Sequence, residues 1–236
     1  MLSISSELVK CAPAELKAQT VRKLQATYNH TGKMVEMGSL SSSPVLNPLC
    51  QKRAENPALI CSKCFSLAMQ KRFGKDSGLA KKLENNSELL SGSILSDEQF
   101  PDINGGIKTW KYFRLEAFGD LINAIHAINY FRFCELNPET RFTLWTKNPH
   151  FIASAIKKGY SKPENLTIIY SSPCLNHCAN DSIFKIFPFI DKVFTVYDKK
   201  TAKANGVEIN CGARKCATCL NCYKANGIKF INELLK

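Results

Sequence analysis

Four cysteines fall within twelve residues near the C-terminus, spaced as Cys211-x4-Cys216-x2-Cys219-x2-Cys222. Three more, Cys50, Cys61 and Cys64, form a second group far upstream. A C-x2-C pair lets one tight turn aim two sulfurs at a single ion or cluster, with backbone N–H groups turned toward the negative sulfur. Zinc takes four such thiolates tetrahedrally. Iron–sulfur clusters take the same ligands, often three close together and one distant. Cys211, Cys216 and Cys219 match the first three positions of the plant-type ferredoxin spacing, and Cys222 follows at once. The run reads as a metal site, with iron–sulfur placed ahead of zinc.

The elements that must position these sulfurs can be followed along the chain. Met34 to Leu40 reads as a first strand, and a loop broken by Pro44 and Pro48 delivers Cys50. From Phe65 onward Leu67, Ala68, Met69 and Phe73 repeat at helical spacing, so Cys61 and Cys64 sit where a loop enters a helix. Free N–H groups and the positive dipole end at that helix start favour thiolates and lower their pKa. Helices are expected near 76–90 and 96–103.

Residues 108–172 show the clearest architecture. Thr109–Leu115 reads as a strand, Leu121–Cys134 as an apolar-faced helix and Arg141–Thr146 as a strand. Asn148-Pro149 signals the cap and first turn of a helix reaching about Lys158, and Leu166–Tyr170 is a further strand. Alternating strands and helices with short connections imply a parallel sheet with right-handed crossovers. Ligands of such sheets bind at the carboxyl ends of the strands. A fourth strand is expected over Lys192–Tyr197 and a closing amphipathic helix over about Gly227–Leu235. The expected organisation is an N-terminal segment (1–32, with a helix from Pro13 through Leu24), an α/β core (33–198) and a C-terminal cysteine module (199–236).

The remaining cysteines and histidines read more plainly. Cys11 and Cys134 are expected to be simple thiols, His126 a helix residue, and Cys174 and Cys178, which flank His177, cysteines in a loop after the third strand.

Composition narrows the setting. The 236 residues carry 32 Lys/Arg against 20 Asp/Glu, a net charge of +12, and 44% are hydrophobic, enough for a sizeable core. Residues 192–236 hold nine Lys/Arg and three Asp/Glu, so half of the excess lies around the cysteine run. Two readings of that charge stand side by side: compensation of thiolates and a bound cluster, or a surface for nucleic acid. The N-terminus lacks the apolar core of a secretory signal, and the longest apolar run, Ile183 to Ile190, is too short to span a bilayer. A cytoplasmic protein without a membrane partner is expected, where thiols stay reduced and metal is favoured over disulfides.

In several places the sequence resembles the radical SAM family. Cys50, Cys61 and Cys64 are similar to its three-cysteine loop, with Phe65 opening the next helix. Phe118-Gly119-Asp120-Leu121 resembles the Gly-Gly-Glu-Pro segment that holds the SAM amino group, and Thr146-Lys147-Asn148 the Thr-Asn-Gly segment. The resemblance covers roughly 34–198 and implies a partial β/α barrel, a [4Fe–4S] cluster on the three cysteines, S-adenosylmethionine as ligand, and radical or redox chemistry. The C-terminal run then resembles an auxiliary cluster. The chain looks closer still to cysteine-rich proteins of unknown function encoded by phages and mobile elements, which implies a host-cytoplasmic setting. These combine a C-x2-C-aromatic segment, an Arg-x4-Gly-Asp strand end (here Arg114 to Gly119-Asp120) and a terminal cysteine cluster.

The candidate ligands are therefore Cys50, Cys61 and Cys64 for one cluster and Cys211, Cys216, Cys219 and Cys222 for another, or one cluster shared between the groups. Gly119, Asp120 and Arg114 are expected to line a cofactor cavity at the strand ends. The competing functions are a nucleic-acid-binding protein with a structural metal and a zinc-braced interaction protein.

Overall fold

A computed structural model describes residues 21–104, 110–178, 181–212 and 214–235. Its centre is one seven-stranded sheet whose strands lie side by side in chain order. The strands are β1 (Thr27–Asn29), β2 (Met37–Leu40), β3 (Tyr112–Leu115), β4 (Arg141–Thr146), β5 (Leu166–Ser171), β6 (Lys192–Tyr197) and β7 (Phe230–Leu234). β1 runs antiparallel to β2, and every other neighbouring pair is parallel.

Among the described residues, eight helices connect them: α1 (Pro48–Ala54), α2 (Phe65–Phe73), α3 (Gly78–Gly92), α4 (Ala124–Glu135), α5 (Pro149–Lys157), α6 (Ser182–Ile186), α7 (Lys199–Ala204) and α8 (Cys216–Cys219). Parallel neighbours joined by crossovers of one hand put their helices on one face of the sheet. Leu40, Phe113, Leu115, Phe142, Leu144 and Ile168 point into that face and meet Leu90 of α3, Phe131 and Phe133 of α4, and Ile152 of α5. Cys134 and His126 are fully buried there, as helix-core residues.

The period-two pleat sends the intervening residues to the other face. Ser39, Arg114, Thr143 and Thr167 form one row across β2–β5 by register. On this second face Ile169, Phe194 and Ile231 make a smaller core with Trp145, Cys211, Cys222 and Ile228. The C-terminal segment, not a helix layer, covers it.

Expected and observed elements coincide at β4 and β6 and nearly at α2, α5 and β5. The 96–103 helix is only a 3-10 turn at Asp97–Gln99, with Ser96 and Gln99 capping each other. Most of the helix from Pro13 lies outside the described residues, and Val21 to Ala26 are not helical. The α4 helix starts at Ala124 because the Asn123 side chain caps it, accepting from the His126 N–H. The closing helix expected over about Gly227–Leu235 is instead β7. Ile228, Ile231 and Leu234 are spaced for a helix, but Ile231 packs on Phe194 and the backbone pairs with the open edge of β6. β1 comes from within 1–32 and β7 from within 199–236, so the sheet draws strands from all three expected segments. Among the described residues, no helix is long and apolar enough to cross a membrane.

Candidate metal centre

The four C-terminal cysteines line a single cavity of about 810 Å³ on the second face of the sheet. Cys211 sits in a parallel bridge with Glu233, its N–H donating to the Asn232 carbonyl at 3.0 Å. Cys216 and Cys219 begin and end the single turn of α8, and the Cys216 N–H donates to the Lys33 carbonyl at 2.8 Å. Leu220 then takes a left-handed conformation (φ 55°), which turns the chain back so that Cys222 faces the same space. Leu220, Ile228 and Ile231 complete an apolar wall.

Lys33 lines this cavity, and two further cations from distant parts of the chain, Arg114 and Lys192, act electrostatically on its thiols. The Lys33 ammonium donates to Cys211 Sγ at 3.3 Å and to Glu233 at 2.9 Å. Burial pulls the Lys33 pKa down, but Glu233 and Cys211 outweigh it and hold the ammonium above the ordinary lysine value. Arg114 lies 4.2 Å above the Trp145 ring and acts electrostatically on Cys216 and Cys222. Lys192 is only 5% exposed; burial lowers its pKa, while Cys222 and Asp191 pull it back up. Burial pushes the thiols of Cys211 and Cys216 up and that of Cys222 to about 12, so without metal these sulfurs hold their protons.

The donor set fits an anionic metal–thiolate group. Two N–H donors beside the thiols, Arg114 Nε and Trp145 Nε1, are buried without an acceptor. Such groups are costly to leave unpaired, and metal-bound sulfur is an acceptor of the right charge. Among the described residues, no three His, Cys, Asp or Glu side chains are already drawn into ligating geometry.

The upstream group gathers at the carboxyl ends of β2–β5. Cys50 lies in α1, Cys61 in a 3-10 turn at Ile60–Lys63, and Cys64 is the N-cap residue of α2. Cys64 acts electrostatically on both Cys50 and Cys61. The helix-start expectation of lowered thiol pKa fails at Cys61: burial pushes it up, although Lys147 and Arg53 oppose the shift. Burial also raises Cys50, with Asp120 adding to the effect. The Cys61 segment is tied to the loop after β5 by a Leu59–Cys174 bridge and an Ile60 N–H donating to Pro173 at 2.8 Å. Cys174 therefore stands next to this group, while Cys178 hydrogen-bonds Tyr197 and the His177 carbonyl accepts from Ser172.

Gly119 and Asp120 sit where β3 leaves the sheet. A Cβ on Gly119 (φ +77°) would come within 2.6 Å of the Ser42 carbonyl, so glycine is required for the close approach to the end of β2. Asp120 accepts from its own Leu121 N–H, from Thr146 Oγ1 at 2.6 Å and from the Lys147 N–H at 3.0 Å, and pairs with Arg53 at 3.6 Å. It clamps β3 to β4 and to α1. Arg114, mid-strand, stands on the second sheet face over Trp145 and acts on Cys216 and Cys222, so the structure divides the three expected cofactor residues between two places.

Several contributors had no signal in the sequence. Glu116 (φ 57°) is buried beneath the Asp120 turn, accepting from Tyr130 at 2.5 Å and Ser42 at 3.0 Å and lying 3.1 Å from His126. Lys33, Lys147, Arg53 and Lys192 read as ordinary cations in a basic chain.

The fold and site define a mostly parallel α/β protein with thiol groups on one sheet face and at its strand ends. Residues 13–233 match the model of the family described as Gene product 88, and the chain belongs to that family. This agrees with the likeness to phage-encoded cysteine-rich proteins. Transaldolases of Rhizobium etli (strain CIAT 652) and Rhizobium leguminosarum bv. trifolii (strain WSM2304) are each 36% identical over 67 residues, 28% of this chain and 21% of theirs. The chain thus spans about a fifth of the length of these curated relatives. No solved structure matches it.

Proposed function

We propose that the protein is an iron–sulfur protein carrying [4Fe–4S] clusters on a radical-SAM-like partial barrel. The observation that carries the reading is a cavity walled by Cys211, Cys216, Cys219 and Cys222 and lined by Lys33, with Arg114 and Lys192 acting electrostatically on its thiols. Four thiolates give a bound group net negative charge, and burying that charge is expensive unless cations accompany it. The sequential strand order, with helices on one face, is the winding of closed α/β barrels.

A bound cluster supplies one-electron storage and transfer. The chain's own residues set how readily an electron enters. Lys33 holds its charge against Cys211, and the Arg114 and Trp145 N–H groups are donors for sulfur; both effects raise a cluster's reduction potential. Leu220, Ile228 and Ile231 keep water away. Cys50, Cys61 and Cys64 supply three thiolates and leave one metal position for an added ligand, which the radical SAM resemblance identifies as S-adenosylmethionine. Asp120 then acts by holding Lys147 and Arg53 beside the three sulfurs. If a single cluster is shared between the two groups instead, they lose metal together.

Protein purified without oxygen should be brown, with iron and sulfide near equimolar. Adding S-adenosylmethionine should change the EPR spectrum of the reduced protein, and Cys64→Ala should abolish that change. Colourless protein with stoichiometric zinc would overturn the reading in favour of a zinc-braced interaction protein, since four thiolates suit zinc equally.

A further inference from the structure

Fourteen phenylalanines are present, and only Phe65 (71%) and Phe73 (57%) are exposed. They stand at the two ends of α2. Of nine exposed large apolar side chains among the described residues, four lie between Val45 and Phe73. Scattered surface apolar residues need no explanation, but a concentration does. α2 turns Leu67 and Gln70 inward, where Gln70 bonds Ser43. The opposite stripe, at i, i+3 and i+7, carries Phe65, Ala68 and Arg72.

The same stretch is strongly basic. Residues 45–75 contain six Lys/Arg against one acidic residue, Glu55. Arg53 is taken up by Asp120 and Asn148. Lys63, Lys71, Arg72 and Lys75 are exposed, and no ion pair among the described residues engages them. Two exposed rings about 12 Å apart along a helix, each beside unpaired cations, match what a single nucleic-acid strand offers: flat bases for stacking and phosphates for charge. An acidic protein surface would use the cations but has no comparable need for two exposed rings.

We propose that the outer face of α2, at the rim of the Cys50–Cys61–Cys64 group, binds single-stranded nucleic acid. Phe65 and Phe73 take bases, and Lys63, Lys71, Arg72 and Lys75 follow the backbone. The proposal rests on exposure and charge and does not require a particular metal.

The test is fluorescence anisotropy of the full-length protein with a labelled oligothymidylate and an abasic strand of equal length, across a salt series. The base-bearing strand should bind at least ten-fold more tightly. Phe65→Ala and Phe73→Ala should each weaken binding about ten-fold on the base-bearing strand and little on the abasic one. Lys71→Gln should lower the log–log salt slope by about 0.7. Both phenylalanines are exposed, so their replacement leaves the core intact, and circular dichroism checks this. No binding at low salt overturns the proposal. So does equal affinity for both strands with no response to either phenylalanine, which would mark the face as a dock for an acidic protein. Binding that persists in colourless protein refutes the cluster reading alone.

Discussion

The two cysteine groups are held in opposite ways. The four-cysteine set is local in sequence, yet its surroundings come from afar: Lys33 lies 178 residues from Cys211, and Arg114 and Lys192 arrive on β3 and β6. The three-cysteine group is hung from the sheet by its own neighbours. Asn47 caps α1 and donates to the Asp120 carbonyl, Arg53 bonds Asn148, and Ile60 bonds Pro173. Of its cations, Arg53 pairs with Asp120 and the Lys147 ammonium donates to Ser171, whereas Lys33 donates to Cys211 Sγ as well as to Glu233. Under the proposed function, that difference would suit the four-cysteine site to storing electrons and the three-cysteine site to an incoming ligand.

The largest effect that can break this comparison is loss of a whole site. Cys219→Ala should remove the iron and sulfide of the C-terminal set while the S-adenosylmethionine-sensitive EPR signal of the other group persists. If it strips all iron from protein that stays folded, the groups share one cluster and the two-site picture falls.

Next is the clamp under the three-cysteine group. Asp120→Ala takes the acceptor from Thr146 Oγ1 and the Lys147 N–H and the paired carboxylate from Arg53, which keeps its bond to Asn148, and breaking a buried pair of this kind costs about 3–5 kcal/mol. Chemical denaturation should record that loss, and iron retention should fall at Cys50, Cys61 and Cys64 but not at the four-cysteine set. Equal loss at both would mean that Asp120 supports the sheet alone.

A smaller effect is expected at the network beneath that clamp. Tyr130→Phe leaves Glu116 without its phenolic donor, at about 1–3 kcal/mol. Burial first, then Glu116, holds the Tyr130 pKa well above 10, so the folded protein keeps a proton that the unfolded chain gives up. This contribution to stability is full below pH 10 and is lost as pH rises beyond it. Unfolding curves between pH 9 and 11 should fall less steeply with pH for Tyr130→Phe than for the parent protein; identical slopes would remove Tyr130 from the account.

The smallest prediction tests charge compensation itself. Lys33→Met removes one cation from the four-cysteine cavity and should lower that cluster's reduction potential by about 10–40 mV, the equivalent of roughly 0.2–1 kcal/mol for a partly exposed pair. The same change should leave the three-cysteine group untouched. A shift at both sites would show that their potentials are coupled.

Much of the α/β frame was legible because alternation and capping are local. Arg141–Thr146 and Lys192–Tyr197 read as strands at their observed ends, and Cys64 was expected at a helix start, where it lies. The closing segment reads as a helix because Ile228, Ile231 and Leu234 are at helical spacing, and only the open edge of β6 makes Phe230–Leu234 a strand. Arg114 shows the same limit at the site. Its neighbourhood with Gly119 and Asp120 in the chain suggested one cavity, but pleat parity sends it to the other face.

What the sequence determined by itself is which sulfurs can meet, since short spacings close small loops whatever the fold around them. It also determined that thirty-two cations must be distributed over the molecule. Tertiary structure alone decided that Lys33, Arg114 and Lys192 act on thiols, because electrostatic interaction acts through space and sequence separation carries no record of it. It also decided that Cys61 lies in a 3-10 turn ahead of α2 and that burial raises its pKa, because the desolvation of a thiolate depends on every atom packed around it.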